Sequence, residues 1–129
     1  MLDTNIVSVF MRYPAGRVGE RLRVYEVGSV AISVIVLCEL RFGIARTGSA
    51  RLQRQMEWAL GFLEVLPFES PADQGYADLR AALERDGKPI GSNDLFIAAH
   101  AVALNLPLVT ANMGEFSRVA GLKLENWLD

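Results

Sequence analysis

IGSNDLFIAAHAVAL occupies residues 90–104, and LPLVT follows at 106–110. From Leu95 to Leu104 nearly every position is apolar, on all sides of a helix of that length. A helix without a polar face is a buried one. Ser92 or Asn93 starts it, and it runs to Leu104. Leu108-Val109-Thr110 is a short apolar run of strand type. A buried helix that feeds a buried strand predicts an α/β domain with a mainly parallel sheet.

The same alternation extends toward both ends. The chain opens on a strand ending at Asp3, with Thr4 or Asn5 able to cap a helix through Arg12. Tyr13-Pro14-Ala15-Gly16 is a turn, and Arg17 to Glu26 reads as a helix. Val30-Ala31-Ile32 is a strand, and Ser33 caps a helix from Val34 to Arg46. Ser49 caps another through Leu63, before a strand at Glu64-Val65-Leu66. Ser70-Pro71 starts a helix with proline at its first position, stopping at Gly87. Leu122-Lys123-Leu124 is a final edge strand. No repeat, linker or low-complexity tract divides the chain, so residues 1–129 form a single domain.

Bulk properties restrict the function. Hydrophobic residues make up 51% and charged residues 22%, which suits a globular domain. Mean hydropathy of +0.23 is high for a small domain and points to a covered partner surface, most simply a homodimer. No apolar run approaches the roughly 18 residues of a membrane span. One cysteine, Cys38, and one histidine, His100, exclude a disulfide framework and Cys- or His-rich zinc sites. No secretory leader is visible, so a cytoplasmic location is expected. The net charge is −2, yet residues 1–54 hold eight arginines against Asp3, Glu20, Glu26 and Glu39.

Three carboxylates stand beside or inside apolar segments: Asp3, Glu39 and Asp94. An ionised carboxylate is costly to bury without compensation. Strand ends are where parallel sheets bind ligands, and Asp3 and Thr110 fall there. Asp94 opens the buried helix, and Glu39 shares a helix face with Ile35, Phe42 and Arg46. Each has an ordinary alternative, as a cap, an ion pair or a helix-dipole partner. Together they suggest a pocket for a hard cation. Asn112 and, more weakly, Glu115 come from the loop after Thr110. His100 is expected as a satisfied core histidine, Cys38 as a small buried group, and Trp58 and Trp127 as packing residues. Arginines 41, 46, 51 and 54 fit a solvated helical face.

Four segments together resemble the PIN-domain ribonucleases, specifically VapC-type toxins of bacterial toxin–antitoxin pairs. They are LDTN at 2–5, SVIVLCELRFG at 33–43, IGSNDLFIAAHA at 90–101 and LVTANMGEFSRVAGLKLENW at 108–127. The resemblance implies a three-layer α/β/α sandwich with a central, mainly parallel sheet of four to five strands. It implies that metal-binding acids fall at Asp3, Glu39 and Asp94, with a fourth acidic position at Asn112, here an amide. It also implies a homodimer and a VapB-type antitoxin whose tail blocks the site.

The expected activity is Mg²⁺- or Mn²⁺-dependent hydrolysis of RNA. Asp3 and Asp94 would ligate directly, Glu39 would ligate or hold a water, and Thr4, Thr110 and Asn112 would position water or phosphate. One alternative is a catalytically inactive PIN-fold binding module, for which Asn112 is the best argument. Another Mg²⁺-dependent phosphoryl enzyme is disfavoured, because Asn5 stands where a haloacid-dehalogenase-like phosphatase needs a second Asp.

Overall fold

The computed structural model describes residues 1–128. Two short parallel strand pairs form its β structure. Ala31–Ser33 (β1) pairs with Glu64–Leu66 (β2), and Leu108–Val109 (β3) with Leu124–Glu125 (β4). The N-terminal residues run extended between the pairs. The Leu2 N–H donates to the Ala31 carbonyl at 2.9 Å and the Asp3 N–H to the Val109 carbonyl at 2.9 Å. Val109 N–H returns a bond to the Met1 carbonyl at 2.8 Å, and Leu2 bridges Val109 in parallel. The expected first strand is therefore a single bridge, from Leu2 to Val109. The expected sheet is present as two parallel pairs, with residues 1–3 hydrogen-bonded to both.

Helices make the connections, as parallel strands require. They are Thr4–Arg12 (α1), Arg17–Leu22 (α2), Val34–Thr47 (α3), Ala50–Leu60 (α4), Ala72–Arg85 (α5), Ser92–Ala103 (α6) and Met113–Phe116 (α7). Local chemistry sets their ends. Ser33 Oγ accepts from the Ile35 N–H and starts α3; Gly48, at φ 65°, ends it in the left-handed region with its N–H on the Ile44 carbonyl. Ser49 Oγ accepts from the Leu52 N–H and starts α4.

Several boundaries differ from expectation. The second helix stops at Leu22 rather than Glu26, because the Val24 and Tyr25 amides bond three residues back and close a turn. The fourth stops at Leu60 for the same reason, with Phe62 and Leu63 bonding to Ala59 and Leu60. Pro71 is the residue before α5, not its first, and follows a cis peptide bond. The last strand lies one to two residues later than expected, at Leu124–Glu125. At Gly19 a Cβ would stand 1.9 Å from the Pro14 carbonyl oxygen, so α2 can approach the preceding turn only with glycine there.

Leu2, Ile6, Val7, Ile32, Val36, Ile97, Ala98, Leu108 and Phe116 are fully buried and form the centre of one core. Half of α6 is buried, at Leu95 and from Ile97 to Ala101, whereas the sequence pattern predicted burial all round; Val102 and, just past the helix end, Leu104 reach solvent. His100 is the satisfied core histidine anticipated, with Nδ1 2.8 Å from Ser33 Oγ. Cys38 contradicts its expectation: it lies on the solvent side of α3 and is exposed. Trp127 is buried, but Trp58 is 46% exposed and packs against Phe10 and Phe62 at the surface. No helix among the described residues is long and apolar enough to cross a membrane.

Candidate metal centre

Asp3 ends the extended segment and caps α1. Its Oδ1 accepts from the Thr4 N–H at 2.8 Å, and its Oδ2 accepts from Thr110 Oγ1 at 2.8 Å. Thr4 and Asn5 therefore do not replace Asp3 as caps. Only 4% of Asp3 is exposed. Burial pushes its pKa up, the two hydrogen bonds oppose that, and the charges of Glu39 and Glu115 add to it.

Glu39, on α3, is fixed through the same first turn: Thr4 Oγ1 donates to its Oε1 at 2.6 Å. Thr4 thus ties two carboxylates together, its backbone N–H to Asp3 and its hydroxyl to Glu39. Asp94 projects from the first turn of α6. Its pKa is raised to about 7, first by burial, then by hydrogen bonding to Glu115, and then by the charges of Glu115, Asp3 and Glu39.

Glu115 completes the group from α7. It accepts the Gly91 N–H, and its Oε2 accepts from Asn112 Nδ2 at 2.8 Å. The Gly91 N–H contributes most to holding its pKa below the usual carboxylate value. Of the two, Asp94 is the carboxyl whose charge is disfavoured and Glu115 the one whose charge is favoured. The Asn112 N–H in turn donates to Thr110 Oγ1 at 3.0 Å.

The structure therefore brings Asp3, Glu39 and Asp94 to one end of the sheet and adds Glu115. Three sequence assignments change in character. Thr110 is wholly buried and its hydroxyl is engaged with Asp3. The Thr4 hydroxyl is likewise engaged with Glu39, and the Asn112 amide with Glu115. Glu115, the weaker candidate from sequence, lies against Gly91 and Asn112 and beside Asp94. The signal for it is its spacing three residues after Asn112, which makes the two adjacent on a helical turn.

Among the described residues, no three such side chains are already closed around one ion-sized point. An oxygen-only set of carboxylates, two of them penalised for charge, fits a hard divalent cation.

The sequence profile of the PIN domain matches residues 1–122. The chain is 40% identical over 129 residues to ribonuclease VapC2 of Rickettsia felis, covering 98% of this chain and 96% of that protein. It is 36% identical over 130 residues to the tRNA(fMet)-specific endonuclease VapC of Shigella flexneri, covering 98% and 96%. Among solved structures it resembles VapBC2 from Rickettsia felis bound to a promoter DNA fragment, with a TM-score of 0.89, 37% identity and coverage of 98% and 97%. VapBC-1 from nontypeable Haemophilus influenzae gives a TM-score of 0.85 at 32% identity, covering 100% and 98%.

Proposed function

The chain belongs to the PIN-domain family as a VapC-type ribonuclease toxin, and we propose that Asp3, Glu39 and Asp94 hold the Mg²⁺ or Mn²⁺ with which it hydrolyses RNA. The observation that carries this is the convergence of those carboxylates, with Asp3 and Asp94 both raised by burial and by their neighbours' charge. A divalent ion bound there would polarise the scissile phosphate and acidify the attacking water. The chain's own residues supply the preorganisation. Thr4 and Thr110 fix the directions of the Glu39 and Asp3 oxygens, and Asn112 and Gly91 fix Glu115 against Asp94. We read Thr4, Thr110 and Asn112 as positioning residues acting through these carboxylates. The two parallel pairs and residues 1–3 would act as one five-position sheet in a three-layer α/β/α sandwich, with the acids at its carboxyl end.

The inactive-module reading rests on an amide at position 112. Glu115 answers it by supplying a fourth carboxylate three residues later. The test is cleavage of a mixed RNA pool by purified, antitoxin-free protein. Cleavage with Mg²⁺ or Mn²⁺ that stops in EDTA is expected. A folded protein that leaves the pool intact with either ion, and binds no Mn²⁺, would be the inactive module.

The solved relatives are toxin–antitoxin complexes. We infer that a VapB-type antitoxin covers the apolar groove of about 500 Å³ bounded by Phe10, Leu22, Tyr25, Val27, Trp58 and Phe62. Val27 and Trp58 are exposed there at 71% and 46%, more apolar surface than a lone domain favours. Phe62→Glu should weaken antitoxin binding at least about tenfold, since a charge would be buried in the interface; unchanged affinity would remove the groove from that role. A homodimer is our expectation from exposed Val102 and from Leu79 and Ala82 beside it. Sedimentation at a monomer's mass would exclude it. An RNA substrate places the working protein in the cytoplasm, which cell fractionation checks.

A further inference from the structure

A cleft leads away from the carboxylates between α1, α3 and α4. Its first hollow, about 330 Å³, begins at Thr4 and Glu39 and continues past Ser8 to Arg12, Arg46 and Thr47. A second hollow of about 330 Å³ holds Arg12 again, with Tyr13, Ser49, Arg51 and Gln55. Arg12 and Leu52 line both, so the two form one channel. Among the described residues Glu39 is the only acidic one lining it, at the end nearest the carboxylates. From Thr4 to Arg12, α1 rises about 12 Å, room for a short run of nucleotides.

The three arginines are available to a ligand. Among the described residues the ion pair present is Arg80–Glu84, so Arg12, Arg46 and Arg51 have no carboxylate partner. Arg12 uses only Nε, on the Ser8 carbonyl of its own helix, and Arg46 lies 5.7 Å from the Phe42 ring centroid. Their remaining N–H groups suit phosphate oxygens. The second hollow also meets the start of α4, whose first turn carries Arg51 and no acid. Gln55 lines that hollow, and its Oε1 is buried without a hydrogen-bond partner. Such an oxygen gains by turning toward a donor.

We propose that this channel carries single-stranded RNA from the scissile phosphate, with Arg12 and Arg46 on the next phosphate, Arg51 on the one beyond, and Gln55 hydrogen-bonding the nucleotide there. The inference rests on the ribonuclease reading above. Lining separates it from the groove given to the antitoxin: that groove is mainly apolar, whereas three arginines without carboxylate partners draw in a polyanion.

The test uses the full chain carrying Asp94→Asn and a fluorescein-labelled, mixed-sequence, 12-nucleotide single-stranded RNA, read by anisotropy across a salt series. Arg12→Ala with Arg46→Ala should weaken binding roughly tenfold or more. The double variant should also flatten the slope of log K against log salt by about 0.7, for the one phosphate that the two arginines share. Arg51→Ala should flatten it by about 0.7. Arg85→Ala, on α5 and outside the channel, should bind as the parent does. In otherwise active protein the channel variants should raise KM with kcat held within about twofold. Parent-like affinity and slope in the double variant would overturn the channel while leaving the ribonuclease intact. So would failure of the parent to bind the RNA at low salt. RNA binding that depends on these arginines in a protein that never cleaves would keep the channel and sink the ribonuclease. If the double variant instead loses antitoxin and keeps RNA, the channel belongs to the antitoxin and the proposal falls.

Discussion

Asp94→Asn is expected to lower RNA cleavage by at least about a hundredfold while the protein stays folded. Asparagine keeps the shape of the side chain and the start of α6, which has no side-chain cap to lose. What it removes is the negative charge facing Glu115, Asp3 and Glu39. The amide is a weaker ligand for a hard cation than a carboxylate, so Mn²⁺ affinity should fall with the activity. Measured together, the two separate a lost ligand from a lost fold. Turnover at the parent's rate would remove Asp94 from the centre. Asp94→Glu offers a sharper control, because it restores the charge but lengthens the side chain. It should recover metal binding better than rate, since the reaction depends on geometry that binding tolerates.

Much of this site is legible in the sequence, and the reason is local. Asp3, Glu39 and Asp94 each adjoin a segment whose apolar pattern declares its element and its burial, so their convergence follows from a parallel sheet. The serine caps at Ser33 and Ser49 are legible for a similar reason, since a cap acts within four residues of itself. Glu115 is harder. Its importance depends on the Gly91 N–H and on Asp94, more than twenty residues away, and on a one-turn helix too short to show a period. Cys38 departs from expectation because residue type sets only an average burial. Cys38 sits on the solvent side of a helix whose buried residues are Val36 and Leu40. Trp58 packs as expected, on buried Phe10 and on partly exposed Phe62, while its outer side stays open along an apolar groove. Thr4 and Thr110 lie at the expected site but with different partners. A hydroxyl beside a carboxylate is satisfied by it, and sequence does not reveal that pairing across 107 positions.

The electrostatics of Asp94 make a second large effect, this time on stability. In metal-free protein its pKa stands at about 7 against an ordinary value of 3.8. A carboxyl group whose pKa rises on folding binds its proton more tightly in the native state. Its contribution is therefore full below the unfolded value and is lost as pH climbs through about 7. The full shift corresponds to roughly 4 kcal/mol, but the group is half exposed and solvent screens it, so about 2 kcal/mol is the figure to expect. Asp3 is raised as well and acts in the same direction. Glu115 is lowered, so its contribution holds above its unfolded value and disappears only in stronger acid. His100, lowered by burial, costs stability only as it would protonate below its ordinary range. The comparison that isolates Asp94 is thermal melting of parent and Asp94→Asn in EDTA, at pH 5 and pH 8. At pH 5, already above the unfolded value, the variant should melt only slightly higher than the parent; at pH 8 the gap should widen to on the order of 5–10 °C. Mn²⁺ should then stabilise the parent at pH 8 and do little for the variant, and its affinity for the parent should fall as pH drops below 7, where the ion must displace a proton. A melting difference that is the same at both pH values would mean that Asp94 does not titrate in this window, and the crowding of carboxylates that favours a cation there would lose its main support.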